Sequence, residues 1–201
     1  MKQAFYILRH PIYGHWEMKR DNTGRYADGI VILLIAIAAS IFNRQARAFV
    51  FNMSYNVPLD ILKQAARIVL PVMLFSVSNW AVTTLYDGNG TFKDVFLVCC
   101  YSLLPFIFFR LLTPILSHLL TLNETLYLNL IDMIGYGWTG VMLFVGIKEV
   151  HEYEAGKMLL TLFITAVGAA IIIFIFLLFF SLLQELGSFV YSIYRELSLR
   201  L

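Results

Sequence analysis

Between Met158 and Leu183 the chain carries no charged side chain at all. An uninterrupted apolar run of this length has one comfortable environment, since about 20 residues of helix cross the roughly 30 Å of hydrocarbon in a bilayer. A helix also satisfies its own backbone donors and acceptors where no water can do so. Four further stretches read the same way: Gly29 to Phe49, Ala65 to Leu85, Val95 to Leu119 and Leu126 to Ile147. Composition supports this, because 60% of the residues are hydrophobic and 14% charged, with a mean hydropathy of +0.76, whereas a soluble domain is about half apolar and a quarter charged. The expected fold is all-α, a polytopic membrane bundle of five transmembrane helices. Its parts are an N-terminal interfacial segment (1–28), the five-span membrane domain (29–183) and an amphipathic C-terminal helix (184–201).

The first segment mixes Phe5, Tyr6, Ile7, Leu8, Ile12, Tyr13 and Trp16 with Lys2, Arg9, Lys19, Arg20 and Arg25, the composition of chain lying at a membrane surface. Pro11 and Gly14 are expected to break it into a short amphipathic piece up to His10, a turn and a polar stretch. More than twenty polar and aromatic residues precede the first apolar run, which is unlike a cleavable signal peptide. The first span is short, closed by Asn43, Arg44 and Arg47, and the two arginines share a helical face from which they can snorkel to the headgroups; a re-entrant segment is the alternative. At the other terminus Val190, Ile193, Tyr194 and Leu197 recur at helical spacing. This tail either continues span five upright or bends onto the surface.

The most patterned stretch is Asn79 to Pro105, NWAVTTLYDGNGTFKDVFLVCCYSLLP. Two spans are joined here by a tight polar turn. Ser76, Ser78, Asn79, Trp80, Thr83 and Thr84 are expected to face other helices, because hydrogen-bonding groups in hydrocarbon need partners. Gly88 and Gly90 suggest positive φ angles in the turn, with Asp87 and Asn89 bonding their own backbone. Pro105 and Pro114 predict a kinked or divided third span. Cys99 and Cys100 are adjacent in an apolar run, so they cannot staple distant segments and behave as small apolar residues.

Five crossings put the termini on opposite sides. One side collects Lys2, Arg9, Lys19, Arg20, Arg25, Lys93, Lys148 and Lys157, and the other Arg44, Arg47, Lys63, Arg67, Arg195 and Arg200. The richer side is expected to be cytoplasmic, which places the N-terminus there. The formal net charge of +2 is too small for a nucleic-acid partner, which needs a concentrated basic face.

Two charges lie well inside spans, Arg110 in the third and Asp132 in the fourth. Each is costly alone in hydrocarbon, and their depths from the connecting loop, roughly 13 and 9 Å at 1.5 Å per residue, predict that they pair. Other chemistry is weak. Asp87 and Asn89 begin like an EF-hand, but Val98 stands where a bidentate carboxylate is needed. His151 and Glu152 open an H-E-x-x-H pattern that has no second histidine, and are expected in a solvated loop with hydrogen bonds from His151 to neighbouring helices. Ser117 and His118 are adjacent and point apart on a helix. No enzyme activity, metal site or cofactor is expected. Small-residue stripes, Thr161, Thr165, Gly168 and Ala169 on span five and Gly135, Thr139 and Gly140 on span four, allow close helix approach within one chain or between two copies.

The NW, TTL and DGNGTFKDVF sequences, then YSLLP, HEY before span five, the N-terminal HP and the closing SIYRELS together resemble the bacterial branch of the Yip family of five-span membrane proteins. The resemblance runs over nearly the whole chain, with the glycine-turn hairpin as its most specific part. It implies a helical bundle with a cytoplasmic N-terminus and no established catalytic residues. Eukaryotic relatives are membrane-traffic proteins that contact Rab-type GTPases through a long N-terminal region with no counterpart here. Bacterial relatives often occur beside sugar-type ABC transporter components. The resulting expectation is a non-enzymatic integral membrane protein acting by contact with other membrane proteins, as an accessory transporter subunit. Asn79, Trp80, Asp87, Gly88, Gly90, Phe92 and Pro105 form the signature turn and candidate contact surface. A transporter or channel component that itself moves a small solute is the alternative, disfavoured because few polar side chains line the spans.

Overall fold

A computed structural model describes residues 2–198 apart from 53–57, 59 and 87. Asp87 of the signature turn and most of the loop after span one lie outside the described residues. The helices are α1 (Lys2–Arg9), α2 (Pro11–Arg20), α3 (Tyr26–Ala46), α4 (Ile61–Leu85), α5 (Phe92–Ser102), α6 (Leu104–Ser117), α7 (Thr125–His151) and α8 (Ala155–Ser198), with short 3₁₀ turns at Phe49–Phe51 and Leu122–Glu124. Five segments are long and apolar enough to cross a membrane: Tyr26–Ala46, Ile61–Leu85, Phe92–Ser117, Leu122–His151 and Ala155–Glu196.

The centre is α5. Every side chain from Val95 to Ser102 is buried, packed among α3, α4 and α7. Thr91 and Asp94 start this helix with a reciprocal capping box, Thr91 Oγ1 accepting from the Asp94 amide and Asp94 Oδ2 accepting from the Thr91 amide at 3.0 Å. The third span divides as expected. Leu103 ends α5, and Pro105 begins α6, where its missing N–H costs nothing. By contrast Pro71 sits inside α4 without ending it.

The N-terminal segment folds as a helical hairpin. Pro11 starts α2 as its first residue and Gly14 lies inside that helix. A Cβ on Gly14 would come within 2.8 Å of the Ile7 backbone, so this glycine lets α1 and α2 close as a hairpin. Ala4, Ile7, His15 and Met18 are buried, while Phe5, Ile12 and Tyr13 stay exposed. The hairpin docks through α2 on the last turns of α7, and Gly146 leaves the space that the His15 ring fills. Lys19 reaches Glu152 at 2.7 Å and Lys93 reaches Asn22 at 2.8 Å. The N-terminal segment, the glycine turn and the α7–α8 connection therefore share one end of the bundle, as the threading requires.

The C-terminal tail continues span five. Only the first turns of α8 are covered, chiefly by α4, and past Ile172 every described side chain is exposed. The small-residue stripe of α8 thus packs on α4 rather than on its α7 counterpart: Gly168 faces Ser78. On α7, Gly135 abuts Phe109 of α6, while Gly137 and Gly140 have open space around them.

His15 makes the docking of the hairpin pH-sensitive. Its Nδ1–H donates to the Pro11 carbonyl at 2.8 Å, and its buried Nε2 has no partner among the described residues. Burial pushes the imidazole below its ordinary value of 6.5, against smaller opposing pulls from Pro11 and Glu149. The unfolded chain binds the proton more readily, so stability is present above the unfolded value and falls as pH drops below about 6.5. Thermal unfolding in mild detergent should show a melting temperature that is flat from pH 8 to 7 and declines below that, with a shallower decline for His15→Gln; equal slopes for both proteins would contradict this account.

Candidate functional site

The structure gathers the sequence-predicted residues into two sites at opposite ends of the bundle. The first surrounds the signature turn. His151 is not in a solvated loop: it closes α7, is buried, and its ring bridges the turn to α4. The Gly90 amide donates to His151 Nδ1 at 3.2 Å, so the proton sits on Nε2, which donates to Asn79 Oδ1 at 3.3 Å. Asn79 Nδ2 donates in turn to Thr165 Oγ1 at 3.1 Å, and that hydroxyl to the Thr161 carbonyl at 2.7 Å. Beside this chain the Ser78 hydroxyl donates to the Thr165 carbonyl at 2.6 Å. Ser76, Ser78, Asn79 and Thr83 face inward as expected.

Trp80 and Thr84 do not. Trp80 lies on the outer face, edge-on to Phe92, which stacks on Phe96. With Tyr26 against Phe96 they form an aromatic band of the kind found at headgroup level.

Gly88 and Gly90 have no positive φ. Glycine is needed there for close approach, since a Cβ on Gly88 would lie 2.7 Å from His151 Nδ1 and from Thr83, and one on Gly90 would lie 2.7 Å from His151 Cε1. The left-handed conformation falls instead on Glu152 (φ 56°), which ends α7. Its carboxylate receives Lys19 and, at 3.4 Å, Asn89 Nδ2. The Lys19 ammonium holds that carboxyl below its usual range. Tyr153 stacks on His151 and donates to the Tyr86 carbonyl at 2.9 Å.

The second site holds the intramembrane charges. Arg110 and Asp132 line one small gap between α6 and α7, yet they do not pair. Asp132 Oδ2 takes Arg47 at 3.3 Å and its Oδ1 accepts from Thr113 at 2.9 Å. Arg47, expected to snorkel outward, turns inward because it lies just past the end of α3, where the extended backbone releases its side chain toward α7. Arg110 is held by neutral groups: Nη1 donates to Asn43 Oδ1 at 3.3 Å, Nη2 donates to the Tyr136 hydroxyl, and the guanidinium lies over the Phe106 ring. Asn43 returns a bond to the Arg110 carbonyl at 2.9 Å. Depth along the helices predicted both charges inside; it carried no information on azimuth, which selects Arg47. Nothing in the sequence marks Asn43, which closes the first span, or Tyr136 as a partner of Arg110, because their types are common at span ends and interfaces.

A model of the Yip1 domain matches residues 5–193. The chain belongs to the Yip1 domain family. No curated protein and no solved structure matches it. As a family member with five apolar spans it is a multi-pass integral membrane protein.

The ion pair has a direct test. In unfolding by denaturant in detergent micelles, a double-mutant cycle of Arg47→Gln and Asp132→Asn should give a coupling of about 1 kcal/mol or more, because both side chains are largely withdrawn from water. The cycle of Arg110→Gln with Asp132→Asn should give a clearly smaller one; the reverse order would restore the pairing that depth alone suggests.

Proposed function

We propose that this protein belongs to the bacterial branch of the family and is a non-enzymatic membrane subunit that works by contact with another membrane protein, a component of a sugar-type ABC transporter. The observation that carries this reading is α8. At 44 residues it is about 66 Å long, far more than the roughly 30 Å of hydrocarbon. Its apolar run ends at Leu183, and Gln184 and Glu185 mark the return of polar chain. The turns beyond hold Phe189, Val190, Ile193 and Tyr194 exposed at a level where lipid tails no longer cover them. An apolar stripe on a helix standing clear of its bundle suits a partner helix that reads anchors at i, i+3 and i+4. The neutral hydrogen-bonded chain through Asn79 and His151 holds the base of α8 firmly, so that a partner meets a preorganised helix.

Purification at native expression, with a photo-crosslinking residue at Val190, tests the reading. Stoichiometric recovery of transporter subunits crosslinked to α8 is the expected outcome. Crosslinking only to a second copy of the chain, or a lone species that moves solute across liposomes, would overturn it.

We propose further that the N-terminus is cytoplasmic, supported by the larger number of lysines and arginines at the end that carries α1 and α2. A cysteine at Asn89 should then stay unlabelled by an impermeant thiol reagent in intact cells and react once the membrane is opened. Labelling in intact cells would reverse the orientation.

A further inference from the structure

At the end of the bundle opposite the signature turn, α3, α4, α6, the start of α7 and residues between α3 and α4 (Val50, Phe51, Asn52 and Pro58) line a cavity of about 720 Å³. Its wall carries five cations, Arg44, Arg47, Lys63, Arg67 and Arg110, and one carboxylate, Asp60. This end holds fewer basic residues than the other by sequence count, but the fold concentrates them. They come from three helices and one helix end, spaced far apart in the chain, so no run of charge announces the site.

The charges are unevenly answered. Asp60 caps α4 through the Lys63 amide and also reaches the Lys63 ammonium at 3.3 Å. Asp132, behind the wall, answers Arg47, although Arg47 Nε is buried with no partner among the described residues. Among the described residues Arg110 meets only neutral groups and Arg67 has no partner, while Arg44 donates to the Pro58 carbonyl at 3.5 Å. Neutral amides lie between them: Asn43 orients Arg110, and Gln64 donates to the Ser40 hydroxyl at the buried base. Lys63, with its side chain 80% exposed, stands at the rim. From the ends of α3 and α6, Ser40 and Arg110 lie about 10 Å deep at 1.5 Å per residue. A cavity that keeps positive charge at this depth, where a lone ion is costly, is built for an anion that completes it. Guanidinium groups match a phosphate with two parallel N–H donors each.

We propose that this cavity binds a phosphate group, with Arg110 at the floor, Arg67 on the wall and Lys63 closing the rim. The phosphate belongs to an anionic phospholipid of the surrounding leaflet or to a soluble phosphate-bearing compound. The site is independent of the partner contact assigned to α8.

The full-length protein in a neutral detergent, followed by thermal unfolding, tests this at constant ionic strength with three probes: short-chain phosphatidylglycerol, short-chain phosphatidylcholine and inorganic phosphate. Stabilisation by phosphatidylglycerol but not by the other two identifies a lipid site, and equal stabilisation by inorganic phosphate identifies a soluble one; either supports the proposal. In the Lys63→Gln, Arg67→Gln double variant, which leaves the buried pair with Asp132 intact, the apparent Kd for the stabilising probe should rise about tenfold or more. Arg25→Gln, exposed at the other end, should leave it unchanged. No stabilisation by phosphatidylglycerol or phosphate, or the same Kd in the double variant as in the native chain, would overturn the proposal.

Discussion

One directed chain of hydrogen bonds holds this bundle together at the end where most of its elements meet. It begins at the Gly90 amide, passes through the His151 ring and the Asn79 side chain, and ends at Thr165 and the Thr161 carbonyl. Each donor faces an acceptor, so neither ring nitrogen is left for water and the tautomer is set. In a medium of low dielectric an unmatched group of this kind is costly, while a fully matched chain strengthens itself. The same few atoms join the turn, α4, α7 and α8. They also explain the two glycines beside the ring, which must be small for the backbone to reach it. With the turn held, α5 is delivered into the middle of the bundle, where it is buried along its length.

The opposite end is organised by charge. There Arg47, Asp132 and Thr113 form a closed group, and Arg110 rests on Asn43, Tyr136 and an aromatic ring. Pairing Asp132 with a residue just beyond α3, rather than with its neighbour on α6, ties the first span to the fourth. It also leaves Arg110 facing the basic cavity. A buried neutral network at one end and a cationic cavity at the other distinguish the two ends of the spans, and the long exposed α8 extends past the end that holds the cavity.

Much of the architecture was legible in the residues. The spans follow from apolar runs of sufficient length, the division of the third from Pro105, and the inward face of α4 from Ser76, Ser78, Asn79 and Thr83. In each case the property is local: a helix too apolar for water, a residue without an N–H, a hydroxyl that lipid cannot satisfy. Expectations failed where a local property had two outlets. Gly88 and Gly90 offer backbone freedom but serve close packing. Trp80 and Thr84 share the polar character of their neighbours, though α4 can bury only one face. His151 does bond a neighbouring helix, but as the hub of a buried network and not from a polar loop.

The sequence by itself determined that the chain is a five-span membrane bundle, where its helices break, and that Arg110 and Asp132 lie inside it, because hydropathy and backbone chemistry act over a few residues and need no knowledge of neighbours. Only the tertiary structure decided that Asp132 takes Arg47, that α8 leans on α4 far more than on α7, and that five basic side chains converge on one cavity. Those outcomes depend on the rotation of each helix about its axis. In a bilayer nearly every face of an apolar helix is acceptable to lipid, so the residues of one span alone leave that rotation open until the few polar groups find one another.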